Sequence, residues 1–198
     1  MSITVSKTRD ILVDVARQLF ARMGVDQTTM NDIAQASRKG RRTLYTYFKS
    51  KDDIYLAVVE SELDKLCRIL WEIVARELPA DEKLITFIYT RLDAVKTIVF
   101  RNGTLRARFF RDIWRVEKAR KKFDSQEIEI IKNILNDGVK EGTFDMPDTD
   151  VTALILHYAL KGLEVPYIRG LMGNSEADHA NQKANVMNLI FNGIKIIK

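Results

Sequence analysis

The fold is decided by residues 28–51, which read TTMNDIAQASRKGRRTLYTYFKSK. Apolar residues recur at helical spacing on both sides of a polar break at Ser37–Gly40. This spacing predicts two short helices joined by a tight turn. Gly40 can serve as the N-cap of the second helix, which we expect over about residues 41–47. The stretch therefore predicts a helical hairpin.

The second helix of this hairpin begins with Arg41, Arg42 and Thr43. A short helix with hydrogen-bond donors at its N-terminal end suits the major groove of DNA. That groove admits one helix, and arginine can bind a guanine edge there through two hydrogen bonds. An ordinary helical hairpin with a basic, solvated face would show the same charges. From charge alone, both interpretations stay open.

A pattern of spaced residues extends over most of the first 55 positions. It consists of Arg9-x-Ile11-Leu12, Ala16-x-x-Leu19-Phe20-x-x-x-Gly24, Thr28-Thr29-x-x-x-Ile33-Ala34-x-Ala36 and Leu44-Tyr45-x-Tyr47-Phe48-x-Ser50-Lys51. This pattern resembles the tetracycline-repressor-like (TetR) family of bacterial regulators. The resemblance implies a three-helix DNA-binding domain followed by an all-helical ligand-binding and dimerisation domain. Beyond residue 55 it rests on length and helical pattern only.

The turn of the hairpin departs from the family pattern, which usually has Ala-Gly-Val-Ser/Thr where this chain has Ser37-Arg38-Lys39-Gly40. If Arg38 adopts the left-handed conformation, the cost is about 1–2 kcal/mol. Lys39 replaces a small apolar residue and has to extend its charged end to solvent. The two additional charges also fit further contacts with DNA phosphates.

The resemblance implies roles for individual residues and a division into two domains. Phosphate contacts are expected from Thr28, Thr29, Lys49 and Lys51, and base-edge and backbone contacts from Arg41, Arg42, Thr43, Tyr45 and Tyr47. The expected domains are a helix-turn-helix DNA-binding domain at residues 5–65, which includes the start of a connector helix, and a helical ligand-binding and dimerisation domain at residues 66–198.

The chain has 198 residues, of which 46% are hydrophobic and 30% charged, an ordinary composition for a globular protein. Charge is unevenly distributed. Residues 1–51 contain ten Lys/Arg and four Asp/Glu, a net charge of +6, whereas residues 52–198 have a net charge of −1. A basic end on an otherwise near-neutral chain is expected of a protein that binds a polyanion.

Several classes of protein are disfavoured by composition. The single cysteine, Cys67, excludes an intrachain disulfide. The N-terminus has no apolar signal core, and no apolar run reaches the roughly 18 residues of a membrane span. A cytoplasmic protein without a membrane partner is therefore expected.

Helical periodicity continues along the whole chain, and no stretch shows sustained strand alternation, so we expect an all-α fold. Besides the hairpin, we expect a helix at about 7–23, a connector helix at about 51–77, and a helix that begins after a cap at Asp81. Two further helices are expected at 105–122 and from the capping signal Asp124-x-x-Glu127 to Gly142. The next begins at Asp148 or Thr149 and kinks or stops at Pro166, and the last lies at about 177–197. Capping signals at Thr29-x-x-Asp32 and Ser50, and the terminator Gly24, set the ends of the early helices.

Residues 101–122 contain nine Lys/Arg but only two acids. An anionic ligand or additional DNA would explain this basic stretch, and so would a solvated face balanced by acids elsewhere. We favour the solvated face.

A pocket for an unknown small-molecule effector is expected between the helices after residue 65. Its candidate lining residues are Cys67, Trp71, Phe87, Phe110, Trp114, His157 and Tyr158. Each aromatic is also explained as plain core, and His157 as a satisfied core or interface histidine. Two histidines and one cysteine do not compose a zinc-type site. We expect no metal and no cofactor.

The last two predicted helices are apolar on more than one face. Such helices are typical of an interface, and a homodimer is expected through residues that include Leu154, Tyr158, Met187, Ile190 and Ile194. Burial within a larger monomeric bundle is the alternative.

Together these features predict a ligand-responsive transcriptional regulator, foremost a repressor, that binds a double-stranded DNA operator as a homodimer. Two alternatives come from other classes. A nucleoid-type DNA-binding protein without an inducer would bind all sequences alike at fixed salt. An all-helical enzyme is disfavoured because no acid–base or nucleophile constellation is present in the sequence.

Overall fold

The computed structural model describes residues 2–101 and 113–171, together with helical positions 185, 188 and 189. Its helices are α1 (Ser2–Met23), α2 (Met30–Ala36), α3 (Arg41–Tyr47), α4 (Lys51–Val74), α5 (Ala80–Arg101), α6 (Ile113–Lys140) and α7 (Thr149–Ile168). No β-strand occurs among these described residues. The predicted all-α fold is confirmed.

The chain divides into two compact units. The first consists of Met1–Lys65 and Thr97–Lys121, and the second of Leu66–Lys96 and Lys122–Lys198. The boundaries fall inside helices, so α4, α5 and α6 each contribute residues to both units. The first unit thus includes residues 97–121, which the sequence analysis assigned to the second domain.

The first unit has one apolar core, to which α1, α2, α3 and α4 all contribute. Its members recur at three- and four-residue spacing along each helix, as a helix that buries a single face requires. The core includes Leu12, Ala16 and Phe20 of α1, Ile33 and Ala34 of α2, Leu44 of α3, and Ile54, Tyr55 and Val58 of α4. The Phe20 and Tyr55 rings lie 6.5 Å apart.

Most of the helix ends agree with the local signals in the sequence. Gly24 ends α1 with a φ of 88°, a conformation that glycine adopts without strain. At the start of α4, the Ser50 N–H donates to Asp53 (3.0 Å) and the Asp53 N–H donates to the Ser50 hydroxyl (3.1 Å). The Asp148 carboxylate accepts from two N–H groups in the first turn of α7.

Several predicted boundaries are wrong. Helix α1 begins at Ser2 rather than at about residue 7, and α7 does not stop at Pro166 but continues to Ile168. Helix α6 is continuous through Asp124, which lies inside it and accepts a hydrogen bond from Lys161 (3.0 Å). Helix α5 begins at Ala80, before the expected cap at Asp81, because the Ala80 N–H is satisfied by the Glu141 carboxylate (3.0 Å). Helix α4 ends at residue 74 rather than at about 77.

Candidate nucleic-acid interface

The turn between α2 and α3 is held by hydrogen bonds to one carbonyl. The Lys39 N–H (3.1 Å) and the Ser37 hydroxyl (3.0 Å) both donate to the carbonyl of Ala34. Arg38 adopts the expected left-handed conformation, with a φ of 53° and an exposed side chain. Gly40 then caps α3 in an extended conformation. The unusual sequence of this turn therefore forms a compact helix-turn-helix.

The capping box predicted at the start of α2 is present. The Thr29 side chain accepts from the Asp32 N–H (3.2 Å), and the Asp32 carboxylate accepts from the Thr29 N–H and hydroxyl (2.8 Å each). These hydrogen bonds favour the ionised carboxylate and hold the pKa of Asp32 below its usual range. The start of α2 is thus fixed by two neighbouring polar side chains.

Helix α3 turns one face to the core and presents the other to solvent. Leu44 is completely buried, whereas Arg41, Arg42 and Tyr45 are exposed, Tyr45 to 43%. Thr43 and the remaining predicted contact residue, Tyr47, are half-buried at the edges of the exposed face. The outward face of α3 therefore carries guanidinium groups in its first turn and a phenol one turn later.

The residues expected to contact phosphates fall into two groups. Lys49 and Thr29 are exposed. Thr28 is completely buried, and its hydroxyl donates to the carbonyl of Gly24 (2.7 Å). A side chain without exposed surface does not contact a phosphate, so the role expected of Thr28 is corrected: it stabilises the end of α1.

Two basic residues have internal contacts that the sequence did not reveal. The Lys51 ammonium donates to the carbonyls of Val25 (2.8 Å) and Asp26 (3.1 Å), and thereby ties the start of α4 to the loop between α1 and α2. The Arg9 guanidinium lies 5.4 Å from the ring centre of Phe48, a cation–π distance. The Lys51 ammonium thus has two acceptors inside the helix-turn-helix unit, which position it there.

The predicted pocket residues occupy different environments. Cys67 and Phe87 are buried in the second unit, whereas Trp71 is exposed at its surface and Tyr158 is 61% exposed. Phe110 and the side chain of Trp114 lie outside the described residues. A cavity of about 340 Å³ lies in the first unit, and no predicted pocket residue with a described side chain lines it.

His157 belongs to a buried charged cluster that the sequence analysis missed. Its Nδ1 lies 2.6 Å from a carboxylate oxygen of Glu127. Arg91 donates to both oxygens of Glu127, and its Nη2 also donates to Glu164 (2.7 Å). All four side chains are nearly or completely buried. One signal was available: Glu127 lies on the apolar face of α6, three residues before the buried Ile130.

Of the residues predicted to form the dimer interface, Leu154 and Tyr158 belong to α7, and both lie on an exposed apolar face of that helix. Leu154 is 43% exposed in this chain, and Val151, Ile155 and Tyr158 are more exposed still. Met187, Ile190 and Ile194 lie outside the described residues. Within the described helices, none is long and apolar enough to span a membrane.

Two seven-residue helices around a tight turn, with exposed arginines opening the second, define the class of helix-turn-helix DNA-binding proteins. Residues 12–58 match the family model of the bacterial regulatory proteins of the tetR family. The HTH-type transcriptional repressor KstR2 of Rhodococcus jostii is 31% identical over 155 residues, which cover 74% of this chain and 72% of that protein. The chain belongs to the TetR family and is a DNA-binding transcriptional regulator.

Two proteins of lower sequence identity are also transcriptional regulators by name. The HTH-type transcriptional regulator YhgD of Bacillus subtilis is 23% identical over 153 residues, which cover 75% of this chain and 78% of that one. The crystal structure of a transcriptional regulator from Cytophaga hutchinsonii superimposes with a TM-score of 0.76 at 23% identity, over 94% of this chain and 98% of that chain. The last comparison shows that the fold is shared over nearly the whole length.

Proposed function

We propose that this protein represses transcription as a homodimer that inserts α3 of each protomer into successive major grooves of a double-stranded DNA operator. The observation that carries the proposal is the exposed first turn of α3, where Arg41 and Arg42 face solvent beside a rigid turn. The net charge of +6 on residues 1–51 supports the same surface. The related KstR2 proteins are named as repressors, which supports repression rather than activation.

Within this surface we assign different roles to Arg42 and Lys49. Arg42 lies in the first turn of α3 and reads a base edge, whereas Lys49 follows α3 as an exposed point charge and contacts a phosphate. Thr29 contacts a DNA phosphate only by giving up one of its two donor bonds to Asp32, from its N–H or from its hydroxyl. Lys51 and Thr28 act indirectly, through the positions of α4 and α1.

The experiment measures affinities for an operator selected from random DNA by the purified protein. Arg42→Ala is expected to weaken operator binding by about 1–3 kcal/mol and to relax discrimination at one base pair. Lys49→Ala is the matched control: it should weaken all sequences alike and reduce the salt slope by about one unit. Equal losses on operator and random DNA for Arg42→Ala would remove it from base reading. A wild-type protein without sequence preference at fixed salt would support a nucleoid-type function instead.

We further propose that a small-molecule effector binds the second unit and releases the operator. Helix α4 supports this coupling because it is one continuous helix with residues in both units. An effector can shift the protein only through different affinities for the operator-bound and free states. A coupling of about 1–3 kcal/mol corresponds to roughly 5–150-fold in operator affinity, and the operator must weaken the effector by the same factor. Equal effector affinities for free and operator-bound protein would identify a bystander compound.

A further inference from the structure

We propose that the second unit contains a binding site for one divalent transition-metal ion, with Asp124, Glu127 and His157 as its protein ligands. One ligand atom of each side chain lies within 4.8 Å of the other two. In a tetrahedral site, an ion about 2.0–2.2 Å from each ligand holds any two of them about 3.3–3.6 Å apart. Side-chain movements of about 1 Å would therefore close the site around an ion.

Two neighbouring helices of the chain, α6 and α7, supply the three ligands. Asp124 and Glu127 are three residues apart on α6 and share one face of it, and His157 faces them from α7. The Nδ1 of His157 and the Oε2 of Glu127 are 2.6 Å apart, and they need to separate by roughly 0.7–1 Å to bind one tetrahedral ion at about 2.0–2.2 Å. Coordination through Nδ1 places the ring proton on Nε2.

Glu127 is already oriented for this role. Arg91 contacts both of its oxygens and also holds Glu164, and Arg91 and Glu127 are completely buried. Hydrogen bonds to a ligating carboxylate fix its direction. Arg91 Nε bonds Oε1 of Glu127, and Arg91 Nη2 also lies 3.3 Å from Oε2, the oxygen beside His157, so it has to release that oxygen when an ion binds. The Arg91 contacts therefore act as an outer layer that keeps the Glu127 carboxylate in place.

The Asp124 side of the site reaches solvent, and the Lys161 ammonium there is a cation that a metal ion can replace. Asp124 and Lys161 form an ion pair at 3.0 Å, and their side chains remain 18% and 22% exposed. The Lys161 ammonium can move into solvent when an ion binds Asp124. Such an exchange raises the local charge by one unit only, whereas adding a dication beside a fixed ammonium would raise it by two.

The donor set selects the class of ion. Two carboxylates and one imidazole suit Zn²⁺ and other first-row transition ions, whereas Mg²⁺ prefers oxygen ligands and retains its waters. The scarcity of histidine and cysteine in the sequence argued against a site made of those residues alone, but the carboxylates of the partly exposed Asp124 and the buried Glu127 supply the missing donors.

The test is a calorimetric titration of the full chain with Zn²⁺ after treatment with a chelator. One ion should bind per chain. Asp124→Asn should weaken binding by at least about 10–100-fold, the range observed even for outer-layer changes. Lys161→Gln should tighten binding by up to about fivefold, because the competing ammonium is gone. Mg²⁺ in place of Zn²⁺ should give no comparable binding.

Matched controls separate this site from adventitious binding. His179→Gln, at the chain's other histidine, should bind Zn²⁺ as wild type does. His157→Gln should lose binding; if it fails to fold, the partly exposed positions Asp124 and Lys161 still decide the test. Unchanged affinity in Asp124→Asn, or loss of binding in His179→Gln, would overturn the proposal. No DNA is present in the assay, so this outcome is independent of the proposed repressor function.

Discussion

Lys51 shows how one side chain can fix the geometry of the DNA-binding unit from a distance. Its ammonium reaches two carbonyls that lie 25 and 26 residues earlier in the chain. We expect Lys51→Met to lower the free energy of unfolding by about 1–3 kcal/mol, as the loss of hydrogen bonds from a charged donor implies. Lys49→Met, an exposed neighbour with the same loss of charge, should stay within about 0.5 kcal/mol. Urea denaturation measures both, and equal effects would mean that the two bonds contribute nothing.

For single residues, the sequence predicts contacts between residues close in the chain and misses contacts between residues far apart in it. The Thr29–Asp32 capping box spans three residues, so its spacing alone indicates it. Thr28 and Thr29 are identical neighbours in sequence, yet one is buried and the other exposed, because only the packed structure decides which hydroxyl faces the end of α1. The contact of Lys51 with the loop before α2 depends in the same way on the tertiary fold.

At the scale of single helices, we expect the capping box of α2 to make the protein's free energy of unfolding depend on pH through the Asp32 carboxyl. The pKa of the Asp32 carboxyl is lowered in the folded state by its hydrogen bonds with Thr29. Its contribution to the free energy of unfolding is therefore present above the ordinary pKa of an aspartate in the unfolded chain, and is lost as the pH falls through the lower folded value. Wild type should exceed Asp32→Asn in unfolding free energy at pH 7, and the two should converge as the pH falls below about 4. Chemical denaturation at several pH values tests this. Asp145→Asn, at an exposed loop position, is the control for the loss of one acidic side chain, and a gap for Asp32→Asn that stays constant over the pH range would contradict the prediction.

Helix α6 depends on the absence of a side chain at Gly138. A Cβ at this position would lie 2.1 Å from the ring of Phe144, a buried residue of the loop after α6. Gly138→Ala is expected to destabilise the protein by about 1–3 kcal/mol through overpacking. Gly162, inside α7, has no neighbour within 4 Å of such a Cβ, so Gly162→Ala should stabilise by about 0.5–1 kcal/mol. Thermal unfolding of both variants tests the contrast, and a stable Gly138→Ala would show that the Phe144 ring can move aside.

The same helix explains why one boundary was predicted wrongly. Asp124-x-x-Glu127 has the spacing of a capping signal, as Thr29-x-x-Asp32 does, but only the second pattern begins a helix. No proline or glycine separates Asp124 from the preceding turn. The carboxylates of Asp124 and Glu127 bond instead with side chains on other helices, which a pattern within one segment cannot reveal.

For the whole molecule, the exposed apolar face of α7 should determine the state of association. Leu154→Asp places a charge on a surface that the proposed dimer buries, and an unpaired buried charge is costly. We expect this variant to sediment as a monomer and to lose most of its operator affinity, since two linked half-sites bind far more tightly than one. Val139→Asp, at a similarly exposed apolar position on α6, is the control and should remain a dimer. A dimeric Leu154→Asp protein would indicate another interface.

The discontinuous composition of the first unit limits how its DNA specificity can be exchanged between relatives. Ile54, Tyr55 and Val58 of α4 complete its core, so a transplanted segment that stopped at residue 50 would lack part of its own interior. A single recombination point after residue 65 would still combine one parent's residues 1–65 with the other parent's residues 97–101 and 113–121 in the first unit. Chimeric regulators made by one crossover would therefore carry mismatched packing. Replacing only the exposed residues of α3 leaves the buried residues of the unit those of a single parent, so we expect such variants to keep its packing while their operator preference changes.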